Sequence, residues 1–462
     1  MKMRLSEAAR GIGGELLGAD REFDAVSSDT RALPPRALFV ALKGERFDGH
    51  EFLAQALARG AAGALVQESA IPPRESGINL PLLIVRDTRL ALGQLAAYWR
   101  ARFTLPLVGL TGSSGKTTVK EMLASILRVA GGEETVLATR GNLNNDIGLP
   151  LMMLELESRH RYAVLEMGMN HAGEIRYLAG LAAPDVALVN NAGRAHLEFL
   201  GTEEAIARAK GEIFESLDAD GTAVINADDR FAPLWRDLAA GRKQIDFGVD
   251  QPAAVTASCD LHGFESEIVL KTPLGQTSVT LPAPGMHNVR NALAASAAAV
   301  ALAVEVADIG HGLARFGGVK GRLQRKAALN GAVLIDDTYN ANPESVTAAI
   351  AALSGMPGRR LLVLGDMGEL GSRAADLHAE IGGIARAMNV DSMYTLGTLA
   401  ERAMKAFGKG ARHFASMEDL LSAIEEALAP GVTVLVKGSR FMQMERVVKA
   451  LEAKSEAAGE RK

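Results

Sequence analysis

Residues 105–130 constrain this chain more than any other stretch. An apolar run, Leu105 to Leu110, leads into TGSSGKTT, Thr111 to Thr118. Beyond it Val119, Met122, Leu123, Ile126, Leu127 and Ala130 recur at i, i+3, i+4, i+7, i+8 and i+11, which draws one apolar stripe along a helix. A strand that ends in a glycine-rich turn and opens a helix aims successive backbone N–H groups into one concavity at the positive end of the helix dipole. Phosphate fits there. Lys116 is then placed for the β- and γ-phosphates of a nucleotide and the Thr117 hydroxyl for Mg²⁺. Thr111, Gly112, Ser113, Ser114, Gly115 and Thr118 complete the cradle. The pattern GxxxxGK[ST] asks for glycine at position 110, where Leu110 stands, but the inner Gly112-Ser-Ser-Gly115-Lys116-Thr117 is intact. The plainer reading is a glycine turn that caps a helix beside an exposed lysine.

At 462 residues the chain exceeds one ordinary hydrophobic core, and domains of about 150 residues predict three of them. Residues 1–100 alternate short apolar runs (Ala37 to Leu42, Leu82 to Val85) with helical patterns such as Glu51 to Leu65, a small α/β unit. Residues 101–318 carry buried-strand candidates at Leu105 to Leu110, Tyr162 to Leu165, Val186 to Val189 and Thr222 to Ile225. Most are followed by a helix pattern, the signature of a parallel sheet covered on both faces. Within this block residues 254–281 alternate and predict an antiparallel hairpin turning near Pro273-Leu274-Gly275, and an Ala-rich helix follows over Val289 to Val304. Gly317, Gly318 and Gly321 mark a boundary or hinge. Residues 319–462 repeat strand then helix (Ala332 to Ile335, Leu361 to Leu364, Met393 to Leu396, Val432 to Val436), a doubly wound, Rossmann-like domain. The polar tail, Ala453 to Lys462, is expected to fray.

The formal net charge of −5 gives no basic surface for holding nucleic acid by counterion release. Cys259 is the only cysteine, which excludes an internal disulfide and any multi-cysteine metal site and suits a reducing compartment. No run reaches the ~20 apolar residues that span a bilayer, and the N-terminus lacks a signal-peptide pattern. The expectation is a cytoplasmic protein without membrane insertion, and a monomer.

A phosphate loop alone does not separate a kinase, a switch protein and a ligase. Glu166 ends an apolar strand candidate, where a carboxylate at the carboxyl edge of a sheet faces the same phosphates and holds magnesium, or is simply a solvated strand-end acid. His196 follows the strand Val186 to Val189 in NNAGRAHLE and reads equally as a surface histidine. Lys210, in ARAKGEIF, is by itself a helix lysine.

These segments together resemble a known family. TGSSGKTT, GNLNNDIGLP, LEMGMNHAGEI, NNAGRAHLEFLG, AKGEIF, PGMHNVRNALAA, GRLQ and IDDTYNANPES stand in the order and spacing of the Mur ligases, from about Asp29 to Lys449. Within that family they are most similar to the members that join D-alanyl-D-alanine to UDP-N-acetylmuramoyl-tripeptide. The family's phosphate loop lacks the outer glycine, so Leu110 is in keeping. The resemblance implies three domains: one for the UDP end of the substrate (1–100), a central ATPase (101–318), and a Rossmann-like domain that takes the incoming amino compound and closes on ATP (319–462). It implies ATP and two Mg²⁺ ions, with Lys116 and Thr117 at the γ-phosphate and one magnesium and Glu166 and His196 at a second. It implies a carbamylated Lys210, whose amine would take up CO₂ and become an anion that helps hold metal. Lys116, Glu166, His196 and Lys210 are the implied catalytic set. Asn288 corresponds to a contact with the ATP base or ribose, and Arg322 and Asp337 to residues that close onto ATP.

By the same resemblance SSDTR and LFVALKGERFDGHEF hold the uridine diphosphate, with Arg31 and Lys43 supplying charge and Ser28 and Thr30 supplying donors. RGNLNND, with Asn142, Asn144 and Asn145, faces the muramoyl-peptide, and Tyr339, Asn340 and Asn342 align the dipeptide. The competing functions are a sibling ligase that adds a single amino acid, a folylpolyglutamate synthase, and a phosphate-loop NTPase switch that makes no covalent product.

Overall fold

The computed structural model describes residues 1–73, 76–195 and 197–459, those beyond Glu452 by backbone alone. The chain divides into two compact units, one of residues 1–109, 131–169 and 173–185, the other of 110–130, 170–172 and 186–462.

The first unit holds a five-stranded sheet in the order Glu15–Leu17, Leu82–Val85, Gly63–Gln67, Ala37–Val40, Ala25–Ser27. The first pair is antiparallel and the rest are parallel. The helical pattern predicted over Glu51 to Leu65 is corrected. The helix proper spans Leu53–Ala58, and Gly63–Gln67 is a central strand. Gly60, at φ +79°, turns the chain where an L side chain is strained, and its N–H closes on the Leu57 carbonyl. A Cβ on Gly63 would lie 2.9 Å from the Leu5 side chain, so the strand passes where only glycine fits. Phe39, Leu53, Ala64, Val66 and Leu82 form the core beneath it. The helix Thr88–Arg100 is capped by the Asp87 carboxylate, which accepts from the Arg89 and Leu90 amides at 2.8 and 2.9 Å.

Strand β1 (Leu107–Thr111) runs from one unit into the other and delivers the chain to helix α1 (Lys116–Gly131). Of the predicted stripe, Val119, Met122, Leu123, Ile126 and Leu127 are wholly buried and Ala130 is half-buried. The helix Val306–Ala314 crosses this face so closely that a Cβ on Gly312 would sit 2.3 Å from the Ile126 Cα. In the first unit β2 (Tyr162–Glu166) pairs in parallel with Val136–Ala138. In the second unit β3 (Val186–Val189) pairs in parallel with β4 (Thr222–Asn226), and β4 with Lys243–Phe247. Helix α2 (Glu203–Gly211) joins β3 to β4, with the Thr202 hydroxyl accepting from the Ala205 amide as its cap.

The predicted hairpin is present and carries one further strand: Thr256–His262, Glu265–Thr272 and Gly275–Leu281 form an antiparallel meander that turns at Pro273-Leu274. The Ala-rich helix α3 covers Met286–Ala301, three residues ahead of its predicted span, because Gly285 at φ +86° ends the preceding loop.

The last sheet runs Gln324–Ala327, β5 (Val333–Asp337), Val432–Lys437, Arg359–Gly365, Ser392–Leu396, Ala411–Phe414. Its first pair is antiparallel and the rest parallel. The connections are α4 (Pro343–Ser354), then β6 (Arg359–Gly365), α5 (Ala374–Ala387), the strand Ser392–Leu396, α6 (Ala400–Phe407), the strand Ala411–Phe414, α7 (Met417–Ala427), and β7 (Val432–Lys437), followed by α8 (Glu445–Gly459). Period-two alternation builds two cores. Ile335, Leu362, Leu364 and Leu435 face α4, α5 and α6, whereas Leu334, Leu361, Val363, Val434 and Val436 face α7 and α8. This is the predicted doubly wound arrangement. β7 sits between β5 and β6 while its outgoing helix lies on the opposite face, so a crevice opens at the carboxyl ends of β5 and β7. The tail stays helical to Gly459, in keeping with its Ala and Glu content, and Glu460 to Lys462 lie outside the described residues. Among the described residues no helix is long and apolar enough to cross a membrane.

Candidate active site

In the second unit one cavity of about 650 Å³ is lined by Ser113, Ser114, Gly115, Thr117 and Thr118 of the loop after β1, by Asn288 of α3, and by Arg322, Asp337 and Lys437 at the last sheet. The sequence separates these residues by more than 300 positions, and the fold brings them to one wall.

The loop owes its shape to asparagines. Gly115, at φ +79°, leaves no room for a Cβ, which would fall 2.3 Å from Asn291 Oδ1 and 2.7 Å from Asn190 Nδ2. Asn190 Nδ2 donates to the Ser114 carbonyl at 2.9 Å and to Asn291 Oδ1 at 3.1 Å, and Asn191 Oδ1 accepts from the Ser114 amide at 2.8 Å. Asn226, the last residue of β4, donates to the Asn190 carbonyl at 2.8 Å. Buried polar groups cost little only when paired, and here each tie fixes the course of the loop. Asn190, Asn191, Asn226 and Asn291 were not found from the sequence, although the signal was there: Asn190 and Asn191 come straight after the run Val186–Val189, Asn226 closes the run that begins at Thr222, and Asn291 stands one helical turn after Asn288.

Lys116 Nζ donates to the Gly112 carbonyl at 2.6 Å. The Thr111 hydroxyl is buried without a hydrogen-bond partner among the described residues. Asn288 is buried and donates to the Pro284 carbonyl at 2.8 Å while its Oδ1 accepts from Asn291. Arg322 lies over the Tyr339 ring at 4.2 Å. Asp337, the end of β5, accepts from Lys437 Nζ at 2.6 Å and from the Leu323 amide at 3.2 Å. Lys437, the end of β7, is the other functional side chain the sequence did not flag. Burial lowers its pKa while Asp337 raises it. His287, in the same wall, is held neutral by burial and by Lys437 and Arg290, its pKa pushed down to about 4.

Lys210 is 1% exposed near the end of α2. Trp235, itself fully buried, donates to the Ala207 carbonyl at 2.9 Å, and Gly211 lets the helix carrying Trp235 pack so close that a Cβ would meet Leu238 at 2.4 Å. Burial, then the nearby Lys116 ammonium, hold the Lys210 amine well below the usual lysine range, a shift toward the uncharged amine.

Glu166 belongs to the first unit. Its carboxylate is buried and accepts from Asn144 Nδ2 at 2.8 Å, and its amide donates to Thr139 Oγ1. Asn145 Oδ1 accepts from the Gly148 amide at 2.8 Å, and Asn142 is exposed. His196 lies outside the described residues. In the first domain segment Arg31 and Lys43 are exposed and pair with Asp29 and Asp48, Ser28 is half-buried, and the buried Thr30 hydroxyl donates to Gln55 at 2.6 Å. Asn342 caps α4 through the Ser345 amide and donates to Ser114 Oγ at 3.2 Å, while Asn340 Oδ1 accepts from the Ala341 amide. Among the described residues no three His, Cys, Asp or Glu side chains form a metal cage. Magnesium needs none: it takes one or two protein oxygens and completes its shell with phosphate and water. The Thr117 hydroxyl and the Glu166 carboxylate are donors of that kind.

Models of the Mur ligase family match three successive segments: the family's catalytic domain over residues 22–100, its middle domain over 110–299, and its glutamate ligase domain over 321–440. The chain belongs to the Mur ligase family. It has the three-domain α/β fold of that family, with largely parallel sheets. Across 456 residues this Mur ligase is 44% identical to the UDP-N-acetylmuramoyl-tripeptide--D-alanyl-D-alanine ligase of Escherichia coli K12, covering 98% of this chain and 99% of the relative. A crystal structure of MurF from Acinetobacter baumannii superposes with a TM-score of 0.91 at 38% identity, over 98% of this chain and 99% of that one. The MurF ligase of Thermotoga maritima in complex with ADP gives 0.81 at 30% identity, over 94% and 98%.

Proposed function

We propose that this Mur ligase is an ATP-dependent amide ligase that adds D-alanyl-D-alanine to UDP-N-acetylmuramoyl-tripeptide in peptidoglycan precursor synthesis, working as a cytoplasmic monomer. The observation that carries the reading is the single cavity that gathers the phosphate loop, Asn288, Arg322 and Asp337, in a chain similar over its whole length to ligases of that name.

A carboxylate will not accept an amine directly, because oxide or hydroxide would have to leave. In the proposed sequence an oxygen of the tripeptide carboxylate attacks the γ-phosphorus, the bond to the bridging oxygen breaks, and ADP departs, leaving an acyl phosphate. The free amine of the dipeptide then attacks the acyl carbon, gives up a proton, and the tetrahedral intermediate expels phosphate to leave an amide. The obstacle to the first step is repulsion between two anions, which Lys116 and the positive end of α1 offset. Magnesium bound at Thr117 would add Lewis-acid neutralisation of the phosphates, and a carbamylated Lys210 would supply a further anionic oxygen for metal. Arg322 and Asp337 hold the nucleotide from the last sheet and help exclude water, which would hydrolyse the acyl phosphate.

Phosphate release is assayed with ATP, UDP-muramoyl-tripeptide and D-Ala-D-Ala, omitting each in turn. All three are required on this reading, and full turnover without the dipeptide would refute it. Lys210→Ala is expected to lose at least about 100-fold in kcat, with partial return on adding short carboxylates; near-parent turnover would remove the carbamate.

A further inference from the structure

Arg194 sits in the Asn190–Arg194 loop after β3 and pairs with two acids of the last sheet's helices. Its Nε donates to Glu344 Oε1 at 2.6 Å, its backbone N–H to Glu344 Oε2 at 3.0 Å, and its Nη1 to both Glu380 oxygens at 2.9 Å. The Arg194 side chain is 19% exposed, Glu344 lies in the first turn of α4, and Glu380 lies on α5. Gly193 is pressed against Glu344, where a Cβ would come within 3.0 Å of its Cδ. The same loop is tied to the phosphate loop: the Gly193 amide donates to Ser113 Oγ at 2.9 Å and the Ser113 amide to the Asn191 carbonyl at 3.0 Å. A second strut closes the circuit, because Asn342, the cap of α4, reaches Ser114 Oγ. Just downstream, Leu197 packs against the core under α4 and α5, and the Glu198 amide donates to the Glu369 carbonyl at 3.3 Å.

We infer that Arg194 is a positioning residue, a fork that fixes α4 and α5 against the Asn190–Arg194 loop and thereby sets how tightly the phosphate loop takes ATP. A guanidinium suits the task because its planar donors engage two carboxylates at once, which a lysine ammonium does with poorer geometry. Glu344 also lines the nucleotide cavity. With Arg194 in place its charge is neutralised; without it, a carboxylate faces the incoming triphosphate and α4 loses its anchor. Glu380 does not line that cavity, so a nucleotide effect from changing it would have to travel through Arg194.

The inference rests on the reading that ATP occupies this cavity, and the test separates the two. ATP affinity and the kinetic constants are measured for the parent, Arg194→Ala, Arg194→Lys, Glu380→Gln and the double variant Arg194→Ala/Glu380→Gln, with melting curves for each. The fork predicts a rise of about tenfold in Kd and KM for ATP in Arg194→Ala and a smaller rise in Glu380→Gln. The double variant is no worse than Arg194→Ala, and Arg194→Lys is intermediate. A parent that binds no ATP sinks the functional reading itself. A binding parent with all variants within twofold of it overturns the fork, as does a defect in Arg194→Ala that Glu380→Gln does not share. A merely structural role would lower the melting temperature and leave Kd unchanged, which also overturns it. Arg194→Lys and Glu380→Gln keep the side-chain volumes, so the comparison survives if Arg194→Ala does not fold.

Discussion

Lys437→Met tests the energetics at the end of the last sheet. Lys437 is 1% exposed and Asp337 5%, their charged atoms are 2.6 Å apart, and Lys437 also donates to the Asn340 carbonyl at 3.0 Å. Methionine fills nearly the same volume, so the cavity term is small and the cost is almost wholly that of a buried carboxylate stripped of its cation. Breaking such a pair from one side costs about 3–5 kcal/mol, whereas removing both charges is often close to neutral. Asp337→Asn keeps an acceptor for the Leu323 amide, and the double variant Asp337→Asn/Lys437→Met is therefore expected to recover at least about 2 kcal/mol of the single variant's loss. A chain with several sheets need not unfold in one step, so the measurement is native-state hydrogen exchange of the amides in β5 and β7, which reads local opening directly. At 1.4 kcal/mol per decade, Lys437→Met is expected to exchange roughly 100- to 4,000-fold faster there. A cost below about 1 kcal/mol, or a double variant as unstable as the sum of the singles, would show that the pair is not coupled and that Lys437 is held by something other than Asp337.

Gly115→Ala places a Cβ against Asn291 and Asn190 at a backbone angle that L residues avoid, and we expect ADP affinity to fall at least about tenfold with the melting temperature little changed; calorimetric titration that finds parent affinity would contradict the cradle. The pH dependence of stability should carry a signature of His378. Burial lowers its pKa, and its Nε2 accepts from the Met367 amide at 2.9 Å while Nδ1 meets the Ala374 carbonyl. The unfolded chain takes up this proton more readily than the folded one, so the contribution is complete above about pH 6.5 and fades as pH falls from there toward the lowered folded value. Urea midpoints of the parent should drop between pH 7 and 5 more steeply than those of His378→Gln; parallel curves would remove the assignment.

The large elements were legible because their cores are periodic and local. The stripe Val119 to Leu127 and the runs Val186 to Val189 and Leu82 to Val85 appear in the structure where the sequence places them. The failure at Glu51 to Leu65 is instructive, because those apolar residues fit a helix as well as a strand and periodicity cannot choose between them. Gly60 and Gly63 decide it, one by turning the chain and the other by admitting Leu5, and the second reason is a contact between residues nearly sixty positions apart.

The site divides along the same line. The phosphate loop is a local device and could be read, whereas Lys210 in ARAKGEIF looks like any helix lysine until the fold buries it beside Lys116 and lowers its pKa. Burial is a tertiary property, and a single side chain carries no mark of it. A rule for the remaining residues nonetheless emerges from the strands. Thr111, Glu166, Asn226, Asp337 and Lys437 are each the last residue of a strand whose preceding positions are mostly apolar. A ladder bonds through its backbone and is indifferent to that final polar side chain, so the strand runs to its end, while an apolar-run criterion stops before it. In parallel sheets the carboxyl ends are where ligands gather, and burying a polar residue there costs desolvation that a partner must offset. The polar residues that close each apolar run therefore deserve the same scrutiny as the run itself, and by that criterion Asn226 and Lys437 stand beside Glu166 and the pair Asp336-Asp337 in the sequence alone.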